Sequence, residues 1–134
     1  MIWLEKEPQP GDVIRTKVRF YHHYGIFVSC DRVIQFGLPD NTGIPNDQIR
    51  VLATDIYTFL HGGSLEVGEP DREERKKLRS RKTIVAEAEA RLGQGEYNIL
   101  HNNCEHFVYT CAFGTPSAGW LEEARAELRR KLGK

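Results

Sequence analysis

Along the first half of the chain, apolar and polar residues follow a strand period of two. In the second half the spacing becomes helical. Residues 1–10 read as an irregular lead-in, because Pro8 and Pro10 have no N–H to give to a ladder. Val13 opens the first strand. Residues 22–28 and 32–36 are rich in aromatic and β-branched side chains and are separated only by Ser29-Cys30-Asp31, which predicts a hairpin. Residues 37–47 hold Pro39, Asp40, Asn41, Gly43, Pro45 and Asn46, the composition of an irregular loop able to border a site. A short strand over 49–53 and a further apolar segment over 56–60 follow, and Gly62-Gly63 then permits a tight turn.

From Asp71, with Glu74 three residues on, a capping box starts a helix, and Ser80 caps a second one that runs to Gly93. Cys104, Phe107, Val108 and Cys111 lie at i, i+3, i+4 and i+7, one face of a third helix that begins behind Asn102-Asn103. Trp120, Leu121, Ala124, Leu128 and Leu132 mark the stripe of a last helix over 118–132. Its early Glu122 and Glu123 and late Arg129, Arg130 and Lys131 suit the helix dipole. Strands followed by helices predict an α+β fold, a small antiparallel sheet packed against helices in a single domain over 1–134.

Composition narrows the class. A chain of 134 residues is one domain's worth and buries enough surface to need neither staples nor metals. Three cysteines without paired spacing argue for reduced thiols in a cytosolic protein, and no zinc spacing or CxxC pair is present, so no metal or other cofactor is expected. No secretion signal or membrane-length apolar run stands out, which predicts a soluble, cytoplasmic protein. The net charge of zero supplies no field to attract nucleic acid. Arg72, Arg75, Lys76, Lys77, Arg79, Arg81 and Lys82 form the one stretch suited to peripheral contact with an anionic membrane, though Glu73 and Glu74 dilute it.

The chemistry centres on Cys104. In the first turn of a helix, free N–H groups and the dipole favour a thiolate, the form a nucleophile needs; the plain alternative is a small buried apolar residue. A thiol nucleophile also needs a base, and histidine suits that near neutral pH. His101 and His106 are neighbours of Cys104 in sequence, but a residue two beyond a first-turn cysteine points around the helix, so His106 reads as structural. In the strand 22–28, His23, Gly25 and Phe27 share one face, and Gly25 leaves space beside His23. Gln35 is the candidate to orient that imidazole. A three-residue loop Ser29-Cys30-Asp31 puts Gln35 opposite Gly25 and diagonal to His23, whereas a four-residue loop turns it away.

Two segments together, His23-Tyr24-Gly25-Ile26-Phe27-Val28 and Asn103-Cys104-Glu105-His106-Phe107-Val108, carry a resemblance, joined by Tyr97-Asn98-Ile99-Leu100-His101-Asn102 ahead of the cysteine. Over about residues 11–113 the chain resembles the lecithin:retinol acyltransferase family, within the NlpC/P60 group of papain-like thiol enzymes. That resemblance implies a circularly permuted papain-like fold in which the histidine precedes the cysteine. It implies that Cys104 accepts an acyl group from a lipid acyl ester as a thioester, with His23 as general base and then acid. Gln35 would orient His23, and a backbone N–H near Cys104, with Tyr24 and Asn103, would contact the oxyanion or substrate. Many animal members carry a second histidine where this chain has Gln35, and a glutamine cannot stabilise an imidazolium by charge. Two rival readings remain: a thiol peptidase, isopeptidase or amidase, and a catalytically weak module that binds lipid or a partner.

Overall fold

The computed structural model describes residues 1–41, 43–99, 102–115 and 130–133. Its middle strand explains the architecture. Along β3 (Tyr21–Ser29) the residues from His23 to Phe27 are all buried, with no polar alternation, so both faces of the sheet are covered. Six strands run antiparallel in the order β1 (Ile2–Leu4), β6 (Glu66–Glu69), β2 (Val13–Val18), β3, β4 (Arg32–Phe36), β5 (Val51–Thr54). The α+β reading holds. On one face, Tyr24, Ile26, Ile34 and Phe36 pack against α3 (Arg81–Ala90) and α4 (Cys104–Phe113). On the other, Ile14, Phe27, Val33 and Val67 pack against Ile56 and Phe59 of α1 (Ile56–Leu60).

Several boundaries differ from expectation. The irregular lead-in is in part a strand, because the prolines begin only at position 8 and leave Ile2-Trp3-Leu4 free to pair with β6. The Met1 amine, 2.7 Å from Glu74 Oε1, holds that edge strand down. The apolar segment 56–60 is helical: Asp55 Oδ1 accepts from the Thr58 N–H at 2.7 Å, a cap that outweighs the β-branched and aromatic content of so short a run. The Asp71 capping box forms, but α2 spans only Arg72–Arg75. Of the expected last helix, residues 118–129 lie outside the described residues, as does His101, and residues 130–132 are helical.

The hairpin resolves the register. β3 and β4 are joined by Cys30-Asp31, and the pairing shifts by a residue between Phe27 and Ser29, so that Val28 is the extra residue of a bulge. A two-residue turn plus one bulged residue counts like a three-residue loop, and Gly25 faces Gln35.

Candidate active site

The start of α4 is tightly specified. Asn103 Oδ1 accepts from the N–H groups of Glu105 (2.9 Å) and His106 (3.1 Å), while His106 Nδ1 accepts from the Asn103 N–H at 3.3 Å. Asn103 Nδ2 donates to Ile99 O at 2.7 Å, so every polar atom of the Asn103 side chain is engaged. This cap makes Cys104 the first residue of the helix and gives His106 a place in the cap.

Where the cysteine lands depends on the end of β4. Phe27 donates its N–H to Asp12 O, so the even-numbered N–H groups of β3 face β4. The β3–β4 pairing ends at Gly25–Gln35, and Gly37, at φ +83, follows the last residue of β4. The Tyr24 N–H therefore points past the end of the ladder, and the Cys104 sulfur accepts it. The thiol thus sits against the peptide that joins His23 to Tyr24.

Its ionisation departs from expectation. Amides of Tyr24, Cys104 and Glu105 do favour the thiolate, but the side chain is only 9% exposed, and burial, with the Glu105 charge, pushes the thiol up to about 11. Desolvation outweighs the helix start. Cys111, farther along α4, is buried and raised to about 12 chiefly by desolvation, whereas Cys30 is exposed in the hairpin turn.

His23 belongs to the opposite face. It is 2% exposed, its Nε2 lies 2.9 Å from Gln35 Oε1, and its ring packs on Phe59 with centroids 5.2 Å apart. The space beside Gly25 is filled: a Cβ there would stand 2.8 Å from Phe59 Cε1 and 3.0 Å from Val33 Cγ1. Burial lowers His23 to about 4, against the opposing effect of its Gln35 bond. Gln35, 0% exposed, also donates from Nε2 to Thr54 Oγ1 (2.7 Å) and Val33 O (3.3 Å). The structure therefore brings Gln35 to the His23 ring and Cys104 to the His23–Tyr24 backbone, at one end of β3.

Sequence reasoning missed the aromatic and charged surroundings. Tyr24 stacks on Trp3 at 5.7 Å, Arg15 lies 4.2 Å over the Trp3 ring, and Arg15 and Glu105 both bond the Tyr24 hydroxyl. Arg15 Nε also donates to Glu66 Oε1 at 2.8 Å. Tyr21 and Tyr97 stand close enough to Cys104 for its charge to add to burial in raising both phenols, Tyr97 to about 12. Strand pairing and stacking across distant segments create this setting, and only the aromatic content near the motifs hints at it. An open cavity of about 510 Å³ borders Tyr97, lined also by Asn46, Asp47, Arg50, Gly95, Glu96 and Asn98, but not by Cys104 or His23. The basic stretch is partly paired, Arg75 with Glu69, Lys76 with Glu73 and Arg81 with Asp12. Among the described residues no helix is long and apolar enough to cross a membrane.

An antiparallel α+β domain with a helix-start cysteine at the end of the strand that carries a buried histidine defines a class, and comparison with known proteins supplies the family. Residues 6–117 match the family described as lecithin retinol acyltransferase. The chain is 32% identical over 126 residues to lecithin retinol acyltransferase of Bos taurus, covering 79% of this chain and 55% of that protein. It is 27% identical over 133 residues to phospholipase A and acyltransferase 5 of Homo sapiens (94% and 48%) and 30% over 128 residues to phospholipase A and acyltransferase 3 of Mus musculus (88% and 78%). The chain belongs to the lecithin retinol acyltransferase family. It spans about half the length of the lecithin retinol acyltransferases it matches.

Proposed function

We propose that the chain is a cysteine-dependent acyltransferase or hydrolase of lipid acyl esters, built on a circularly permuted papain-like arrangement of the NlpC/P60 type. The observation that carries this is the arrangement at one end of β3: Cys104 at a helix start against the Tyr24 N–H, one residue along the strand from a buried His23 held by Gln35. The names of the relatives, lecithin retinol acyltransferase and phospholipase A and acyltransferase, support a lipid acyl ester as the substrate.

In this mechanism the resting pair is neutral, since the thiol lies near 11 and the imidazole near 4. Proton transfer then accompanies attack instead of preceding it. The Cys104 proton passes to His23 Nδ1, the nitrogen not bound to Gln35, as sulfur bonds to the acyl carbonyl carbon and its oxygen takes the electron pair. Backbone N–H groups at the start of α4 and at Tyr24 bind that oxyanion. The ester C–O bond breaks, the leaving alcohol takes the proton from the imidazolium, and an acyl thioester remains on Cys104. Water or another acceptor gives a proton to His23, attacks the thioester and releases the acyl product with the free thiol. Gln35 orients His23. Asn103 fixes the helix start, and Tyr24 forms one wall of the site with Trp3.

Incubating the protein with a short-chain phospholipid and recording its intact mass tests the reading. The expected result is an added acyl mass that hydroxylamine removes and Cys104→Ala abolishes. An unmodified Cys104 that still reacts with iodoacetamide would reject lipid esters and direct attention to peptide or amide substrates.

A further inference from the structure

We infer that Thr54 is a positioning residue that fixes which nitrogen of His23 carries the proton, acting through Gln35; the inference rests on His23 as the base of the proposed reaction. Thr54, Gln35 and His23 form a diagonal row across three strands. Thr54 pairs with Val33, two residues before Gln35, and Gln35 pairs with Gly25, two residues after His23. Side chains two residues apart share a face, so the row lies on one side of the sheet.

A primary amide is ambiguous as an orienting group. One 180° flip exchanges its donor and acceptor ends, so Gln35 specifies a tautomer only if something specifies Gln35. Its side chain is buried, and both ends must find partners within the protein. On the β5 side, Thr54 Oγ1 donates its single hydrogen to Asp55 O at 2.9 Å and so presents a lone pair to Gln35 at 2.7 Å. Val33 O, an acceptor only, lies 3.3 Å from the same amide nitrogen. Two acceptors call for the NH2 end. The carbonyl oxygen Oε1 is thereby turned to His23 Nε2 at 2.9 Å, where an acceptor requires an N–H. Nδ1 is left with its lone pair, the form the proposed base requires. With the amide flipped, an N–H would face Nε2, the proton would move to Nδ1 and the base would be lost.

A histidine-selective ¹⁵N NMR measurement near pH 7 on the full chain reads the tautomer directly, because His23 is neutral there. Wild type and Thr54→Ser are expected to show the Nε2–H form, and Thr54→Val to show a substantial Nδ1–H population, with Thr54→Ala as a second variant should valine prevent folding. In acyl transfer, Thr54→Val is expected to lower kcat about tenfold, the worth of one biased hydrogen bond, with KM within about twofold, and Thr54→Ser to restore it. An Nε2–H form that persists in Thr54→Val and Thr54→Ala overturns the inference even if kcat falls, since the role is then only structural. So does an Nδ1–H form in wild type. A tautomer that moves in a protein without lipid acyl transfer sustains the Thr54 inference and rejects the lipid-acyltransfer reading instead.

Discussion

On the α4 face, a broad apolar core surrounds a cysteine, and the helix that bears it brings its own amides to the sulfur. On the α1 face, a smaller apolar cluster led by Phe59 encloses a polar row, Thr54, Gln35 and His23, joined by side-chain hydrogen bonds. Burial acts on both, and its sign depends on the group: it raises the acid Cys104 and lowers the base His23. Both groups are held in their neutral forms. The lesson is that burial on both faces opposes a resting thiolate–imidazolium pair and keeps both the acid and the base uncharged.

Opening the smaller cluster should break that symmetry with the largest effect. Phe59→Ala is expected to cost about 3–5 kcal/mol in urea unfolding, the range for a large aromatic truncated in a core. Because the Phe59 ring covers His23, the variant should also raise the His23 pKa towards its ordinary value by admitting water. An equal truncation on the other face, Phe107→Ala, should cost comparable stability and leave His23 unchanged. If Phe59→Ala left the imidazole as low as in wild type, burial under α1 would not be what lowers it.

The two faces were unequally legible in the sequence. The α4 half could be read because its signals are local: Asn103 as cap and the i, i+3, i+4, i+7 spacing from Cys104. The Gly25–Gln35 register followed from counting the hairpin, although the count was met by a two-residue turn and a bulge. Of the α1 half, His23 and Gln35 could be read but not what covers them. Asp55 is a local sign that residues 56–60 fold as a helix, but nothing local says that Phe59 fills the room that Gly25 leaves. Likewise β1 is a short edge strand whose pairing with the equally short β6 spans a long sequence separation, and Trp3 reaches Tyr24 through that pairing. The thiolate expectation failed for a related reason, since a helix dipole is visible in sequence and desolvation is not.

Acid should expose the cost of keeping His23 neutral. Its folded value of about 4 lies below the ordinary 6.5, so between those two pH values the unfolded chain binds a proton that the folded chain refuses. Stability therefore falls as pH drops through this window and levels off below it, by about 3 kcal/mol from this residue alone. His23→Gln removes the titration. The difference between wild type and His23→Gln in urea midpoints, followed from pH 7 to pH 4, should change by that order in the direction of wild-type loss. A constant difference across the window would mean that His23 titrates normally and that the neutral-pair mechanism is wrong.

The smallest expected effect bears on the other half of the pair. Burial is the main cause of the raised Cys104 thiol, and the Glu105 charge adds to it; Glu105 is itself raised by burial and steadied by Tyr24 and Arg15. Glu105→Gln removes that charge and leaves the desolvation in place. The pH midpoint of Cys104 alkylation by iodoacetamide, mapped by peptide mass, should fall by less than about 1 pH unit, because burial still dominates. Cys30, exposed in the hairpin turn, serves as the internal reference for alkylation. A larger fall would transfer the main cause from burial to Glu105, and then the two faces would suppress charge by different means: the sheet face by excluding water, the helix face by placing a carboxylate next to its own thiol.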